Sequence, residues 1–234
     1  MLNDFAKELL AVGHVPEMIE HPFIRGIAEG RYEKKALHEY AQELIGLAAG
    51  FPAHLAALFA RCDHAEARRV ILENLLEEEG VISFGTSTGL VIDPHRRHAA
   101  MGNRFLKAFG VDSITTPPPA GQWLTNELQA GRWLGPFAYF CVGIEANVPA
   151  SFRLIAAGLQ THYGLHEEDL EYFTEHFIAD ERHGEHGAAI AAAAATTEAL
   201  RTEALTGARR GGQAWLHLHQ QHARKLRSRL TANA

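Results

Sequence analysis

Hydrophobic residues recur every three or four positions along nearly the whole chain, and no stretch alternates convincingly as a strand would, so the pattern predicts an all-α protein. Residues 2 to 12 form a short helix ending before Gly13, and Pro16 is placed for the first turn of a second helix running to about Gly30. Leu37, Tyr40, Ala41, Leu44, Ile45 and Ala48 mark a third helix from about Glu33 to Ala60, which Gly50-Phe51-Pro52 bends rather than ends. A fourth starts near Asp63 or Ala65, carries Val70, Ile71, Leu75 and Leu76, and runs out in Glu77-Glu78-Glu79-Gly80. Between Gly80 and Pro94, two further glycines and a Ser/Thr cluster read as a loop, about as long as loops get without a functional reason. Helix resumes at Pro94 and runs through His98, Met101 and Phe105 to Gly110.

Thr115-Thr116-Pro117-Pro118-Pro119 is a stiff connection, and it lies inside one domain because neither half alone would cover its apolar faces. Helices follow at about 121 to 130 and 132 to 162. Another starts near His166 and continues through an alanine run, and a last one spans roughly 198 to 231 with a break at Gly211-Gly212. The expected architecture is a single all-α bundle of about seven to nine helices over residues 1–234.

Composition narrows the possibilities. A chain of 234 residues with 47% hydrophobic and 21% charged residues suits one sizeable core. The longest apolar run, Ala188 to Ala195, is too short to span a bilayer, and the opening Met1-Leu2-Asn3-Asp4 is unlike a signal peptide, so no membrane partner is expected. A net charge of -6 argues against nucleic acid. Two cysteines, Cys62 and Cys141, give no disulfide framework and fit a reducing cytoplasm. Fifteen histidines are the one excess; His217, His219 and His222 read as surface residues, but the number invites a search for metal-ligand spacing.

Such spacing is present on one helix. Four and seven residues beyond His176 lie Asp180 and His183, which at about 100° per residue share its helix face. Two imidazoles and a carboxylate facing inward need partners, although such spacing also occurs on wet helix surfaces. Glu145 offers a carboxylate amid Phe140, Cys141, Val142, Ile144 and Val148, and Pro149, which cannot donate to the Glu145 carbonyl, should kink the helix beside it. In the acid triplet, Glu79 shares a face with Leu72, Leu75 and Leu76, whereas Glu78 shares one with Ile71 and Leu75, so periodicity leaves the choice open. His98 heads a face continued by Met101 and Phe105. Acid, histidine, acid and His-Asp-His on four helices parallel carboxylate-bridged di-iron bundles, and three carboxylates suit two divalent ions better than one.

With these residues the chain resembles the haem-oxygenase-like di-iron oxidases and oxygenases, within the wider group that also holds thiaminase-type (TenA-like) and pyrroloquinoline-quinone-synthesis C-type proteins. The resemblance runs from His21-Pro22 through Phe51-Pro52, Glu73 to Gly80, His98 to Gly110 and Glu145-Ala146-Asn147-Val148-Pro149 to His176–His183. It implies the metal ligands Glu78, His98, Glu145, His176, Asp180 and His183, choosing Glu78 over Glu79, with Glu145 and Asp180 as catalytic carboxylates. It also implies two Fe(II) ions, with manganese as the other candidate, dioxygen as co-substrate, and a homodimer. Two departures stand out. A Gly/Ser/Thr-rich insertion separates Glu78 from His98, which implies a weaker or more mobile site there, and Gln42-Glu43-Leu44-Ile45-Gly46 replaces frequent aromatics, which implies a different substrate pocket.

The expected activity is oxidation of a small carboxylate-bearing molecule, an amino acid or fatty acid, by N-oxygenation, desaturation or carbon–carbon cleavage. Mixed imidazole and carboxylate ligation suits iron or manganese better than structural zinc. Arg153 is a candidate for fixing the substrate carboxylate, although on an ideal helix it lies about 80° round from Glu145; the competing reading is an arginine at the rim. His186, similarly off the stripe, reads as a supporting or surface residue. The rival functions are a metal-free thiaminase-type hydrolase with Cys141 as nucleophile and Glu145 as acid or base, a cofactorless oxidase, and a metal-binding protein without turnover.

Overall fold

Helices α1 (Asp4–Gly13), α2 (Pro22–Ala28), α3 (His38–Phe59), α4 (Ala65–Glu78), α5 (His98–Phe109), α6 (Gln122–Gln129), α7 (Leu134–Ala138), α8 (Val148–Tyr163), α9 (Glu171–Ala194) and α10 (Glu198–Ala232), with a small hairpin between α4 and α5, make up an all-α fold. The computed structural model describes residues 2–85, 89–112, 114 and 121–232, and among these the side chains of all but 82–85, 179, 181, 182 and 229–232. The expected connection Thr115–Pro119 lies outside the described residues.

The chain divides into two compact units. The first comprises Met1–Leu37, Leu134–His166 and Phe173–Ala234. Its spine is one rod, α7 to α8, whose middle departs from α geometry. Tyr139–Ile144 widens to a π-helical turn and Glu145–Asn147 tightens to a 3-10 turn before α8 resumes. Pro149 explains the defect, because it has no N–H to give to the Glu145 carbonyl. Asn147 fills the gap: its side-chain amide donates to the carbonyls of Gly13 (2.9 Å) and Gly143 (2.7 Å), and its Oδ1 accepts from Val15 N–H (2.9 Å). Ser151 Oγ donates back to the Asn147 and Val148 carbonyls. The irregular backbone is therefore held by buried hydrogen bonds rather than left to water.

Helix α10 runs unbroken over Glu198–Ala232, contrary to the expected stop at Gly211-Gly212. Those glycines serve packing instead. A Cβ on Gly211 would collide with the Tyr139 carbonyl oxygen and come within 2.7 Å of Gly143 Cα, so their absence of side chains lets α10 lie directly on the rod. The second helix also differs from expectation. The turn at Pro16–Met18 stops, and α2 begins afresh at Pro22 because the residue before a proline is driven out of helical geometry. His21 adopts that extended conformation and caps α2 through Nδ1, which accepts from Phe23 N–H at 3.3 Å. Nor are His219 and His222 at the surface, as the sequence suggested: they are 0% and 3% exposed. His219 packs edge-on against Trp215 and near His21, and its Nδ1–H donates to the Trp215 carbonyl at 2.8 Å.

The second unit holds His38–Trp133 and Glu167–Tyr172. Pro52 is accommodated inside α3, which packs on α4 and α5 around Tyr40, Leu44, Ile45, Leu58, Ile71, Met101 and Phe105. The expected 80–94 loop is instead an antiparallel hairpin of β1 (Val81–Gly85) and β2 (Gly89–Ile92), pairing Val81 with Ile92 and Phe84 with Leu90 across an irregularity after Val81. β-branched residues at both ends favour extended backbone, and the run is too short and too uniformly apolar to show period two.

Among the described residues, two stretches, Lys34–Phe59 and Leu134–Tyr163, are long and apolar enough by composition to cross a membrane. Core helices meet the same criterion, and 61% of the apolar window in the second is buried inside the protein.

Candidate metal centre

In the first unit, α9 carries His176, Asp180 and His183 on one face, and the 3-10 turn of the rod presents Glu145. Glycines set how closely these elements approach. Ala146 Cβ would sit 3.0 Å from a Cβ on Gly184, and Cys141 Cβ would sit 2.5 Å from one on Gly187, so larger residues there would force α9 away from Glu145. Donor atoms of Glu145, Asp180 and His183 all lie within 4.8 Å of one another. His183 Nδ1 is 3.2 Å from Asp180 Oδ1 and 3.8 Å from Glu145 Oε2. Glu145 and Asp180 are only 4% and 5% exposed.

Two carboxylates this close and this buried repel one another unless a cation or protons intervene. An oxygen, oxygen, nitrogen donor set with no thiolate fits a divalent iron or manganese ion. Cys141 adds no competing thiolate: burial first, then the charge and hydrogen bond of Glu145 and the charge of Asp180, push its thiol well above the ordinary range. His176, one turn before Asp180, turns its ring edge to Phe152 with centroids 5.9 Å apart. Phe152 in turn meets Phe173 and Trp215, an aromatic wall of side chains at most 7% exposed. Phe152 was not singled out by sequence reasoning. Its position seven residues after Glu145, on the same helix face, was the available signal.

In the second unit, Glu78 ends α4 and His98 begins α5, with Glu78 Oε1 and His98 Nδ1 2.8 Å apart. Both are buried, at 4% and 8% exposure. Glu79 points elsewhere, pairing with Arg97 at 3.3 Å in half-exposed surroundings. Arg153 is exposed in the first unit, its guanidinium 4.8 Å over the Phe177 ring, and His186 is exposed on α9.

An all-α fold that buries carboxylates and imidazoles on its helices has the donor set of the helical metal-binding proteins. Residues 38–216 match the haem-oxygenase-like family described as iron-containing redox enzymes, and the chain belongs to that family. It is 29% identical over 193 residues to a 4-aminobenzoate synthase of Chlamydia muridarum, covering 77% of this chain and 74% of that one. A 4-aminobenzoate synthase of Nitrosomonas europaea is 24% identical over 238 residues, covering 94% and 92%. Among solved structures, a TenA homologue from Pseudomonas syringae pv. tomato superposes with a TM-score of 0.73 over 95% of this chain and 94% of its own, at 12% identity. That likeness speaks to the fold alone.

Proposed function

We propose that this chain is a non-haem di-iron oxidoreductase that uses dioxygen to oxidise a small carboxylate-bearing molecule, an amino acid above all. The observation that carries the reading is the buried cluster of Glu145, Asp180 and His183, whose donor atoms lie within 4.8 Å of one another. The sequence resemblance names Glu78, His98 and His176 as further ligands. The relatives named 4-aminobenzoate synthase make a small aromatic amino acid, which supports the substrate class.

Bound iron would supply the reduction of dioxygen and the oxidising power. The chain's own residues do the rest. Glu145 and Asp180 supply the negative charge that holds the cations, and they are the groups placed to accept a proton beside the reacting bond. Phe152, Phe173 and Trp215 keep water from the His176 side. Arg153 stands outside this set: on its exposed perch over Phe177 it fits a rim residue, and Arg153→Ala is expected to leave the substrate KM unchanged. We place the enzyme in the reducing cytoplasm as a homodimer, with a small molecule rather than nucleic acid or membrane as its partner.

The test is anaerobic ferrous loading and metal counting, then stopped-flow mixing with oxygen in the presence of candidate amino and fatty acids. Two irons per chain and a transient accelerated by one candidate are expected. A protein that stays metal-free in excess ferrous salt and consumes no oxygen would refute the proposal.

A further inference from the structure

The hairpin between Glu78 and His98 is joined to the helices by a narrow neck. Three pairs cross it in order. Glu78 Oε1 meets His98 Nδ1 at 2.8 Å, Glu79 Oε2 meets Arg97 Nε at 3.3 Å, and Gly80 O accepts from Asp93 N–H at 2.9 Å. Beyond them the strands begin with Val81 opposite Ile92.

The neck is built tightly. Gly80 takes φ +75°, which only glycine adopts readily, and a Cβ there would strike the Asp93 carbonyl oxygen and lie 2.9 Å from Arg97 N. Asp93 then turns the chain back: its Oδ1 accepts from His95 N–H at 2.9 Å, capping the Pro94–Arg96 turn that delivers Arg97 as the residue before α5. His98 is the first residue of that helix, so the backbone against which Gly80 packs is the backbone that aims His98. The mirrored order Glu78-Glu79 and Arg97-His98 in the sequence is the signal that marks the pairing.

An unstructured segment of this length would leave its two ends free to separate, and any ligand drawing them together would first have to close the loop. The neck closes it in advance. We propose that Gly80, Asp93 and the Glu79–Arg97 pair are positioning residues that hold Glu78 against His98 and so preorganise this pair for metal. The hairpin insertion then clamps the pair rather than loosening it. The inference rests on the reading of Glu78 and His98 as ligands, and the experiment separates the two.

Cobalt(II) serves as a spectroscopic probe, titrated anaerobically into the full-length protein and followed by absorbance and calorimetry. The unaltered chain is expected to take two ions, and Glu78→Gln to lose one of the two events, which identifies the event belonging to this pair. Gly80→Ala should weaken that same event by about tenfold or more while sparing the other, with the far-ultraviolet circular dichroism unchanged. Glu79→Lys, which sets two cations face to face, should weaken it by up to about fivefold, and the swap Glu79→Lys/Arg97→Glu should restore it. A role in general stability would instead affect both events and would not be rescued by the swap. Wild-type affinities in both Gly80→Ala and Glu79→Lys, or equal loss at both sites, overturn the positioning role. Should Gly80→Ala not fold, the charge pair and its swap decide alone. If the unaltered chain binds no ion sensitive to Glu78→Gln, the ligand reading fails and takes this inference with it.

Discussion

At the scale of single residues, periodicity reads what one helix determines by itself. His176, Asp180 and His183 share a face by helical geometry alone, and the structure gathers Asp180 and His183 with Glu145. The choice between Glu78 and Glu79 was of another kind. Adjacent positions at a helix end differ by about 100° of rotation, and apolar neighbours flank both, so periodicity has nothing to separate them. Tertiary packing does: Glu78 turns inward to His98 and Glu79 outward to Arg97. The carboxylates carry a direct prediction. Glu145→Gln or Asp180→Asn keeps the shape but removes one negative charge from the cluster, so bound iron should become weaker by about tenfold or more while the fold persists. Metal counting after dialysis, beside circular dichroism, checks this. Full iron retention in both variants would mean that the cluster is not a ligand set.

At the scale of elements, helix existence was legible and interruption was not. Glycine is ambiguous in sequence because it both breaks helices and permits their close approach. Gly211-Gly212 looked like a break, yet the contact of Gly211 with Tyr139 and Gly143 shows the second use. Gly211→Ala is therefore expected to destabilise the protein by about 1–3 kcal/mol through overpacking, although alanine favours an isolated helix. Urea denaturation gives the sign: an unchanged or raised midpoint would mean that α10 does not need the small residue there. The hairpin escaped prediction for the opposite reason. Leu90, Val91 and Ile92 are consecutive and all exposed, so no polar and apolar alternation marks the strand. Pro149 did announce a disturbance beside Glu145, but not that the rod would absorb it as a π-helical turn followed by a 3-10 turn.

At the scale of the whole molecule, buried histidines tie stability to pH. Burial holds His219 down at about 3 and, with the Arg227 charge, also lowers His21. A histidine kept neutral in the fold binds a proton more readily once unfolded, so the unfolded state gains protons as pH falls below its ordinary 6.5. Stability contributed by neutral His219 is thus complete above that value and is lost progressively as pH drops toward 3. The loss at pH 5 relative to pH 8 should be about 2 kcal/mol from this group alone. Urea midpoints at the two pH values should differ less in His219→Gln than in the unaltered protein; identical slopes would assign the acid sensitivity elsewhere. The sequence expects residues 1–234 to act as one domain, and each of the two units is assembled from separated segments. We therefore propose a single cooperative unfolding transition.

The sequence by itself determined the helical class, most helix spans and the His-Asp-His stripe, because these depend on periodicity and spacing within a few turns of chain. Helical periodicity left open which acid of the triplet faces inward, and the tertiary structure places Glu78 there as the family resemblance implied; only the tertiary structure decided that two C-terminal histidines are core and that glycines on α10 join helices instead of ending them. Those outcomes depend on what a side chain meets across space, and neighbouring helices supply that information from distant parts of the chain.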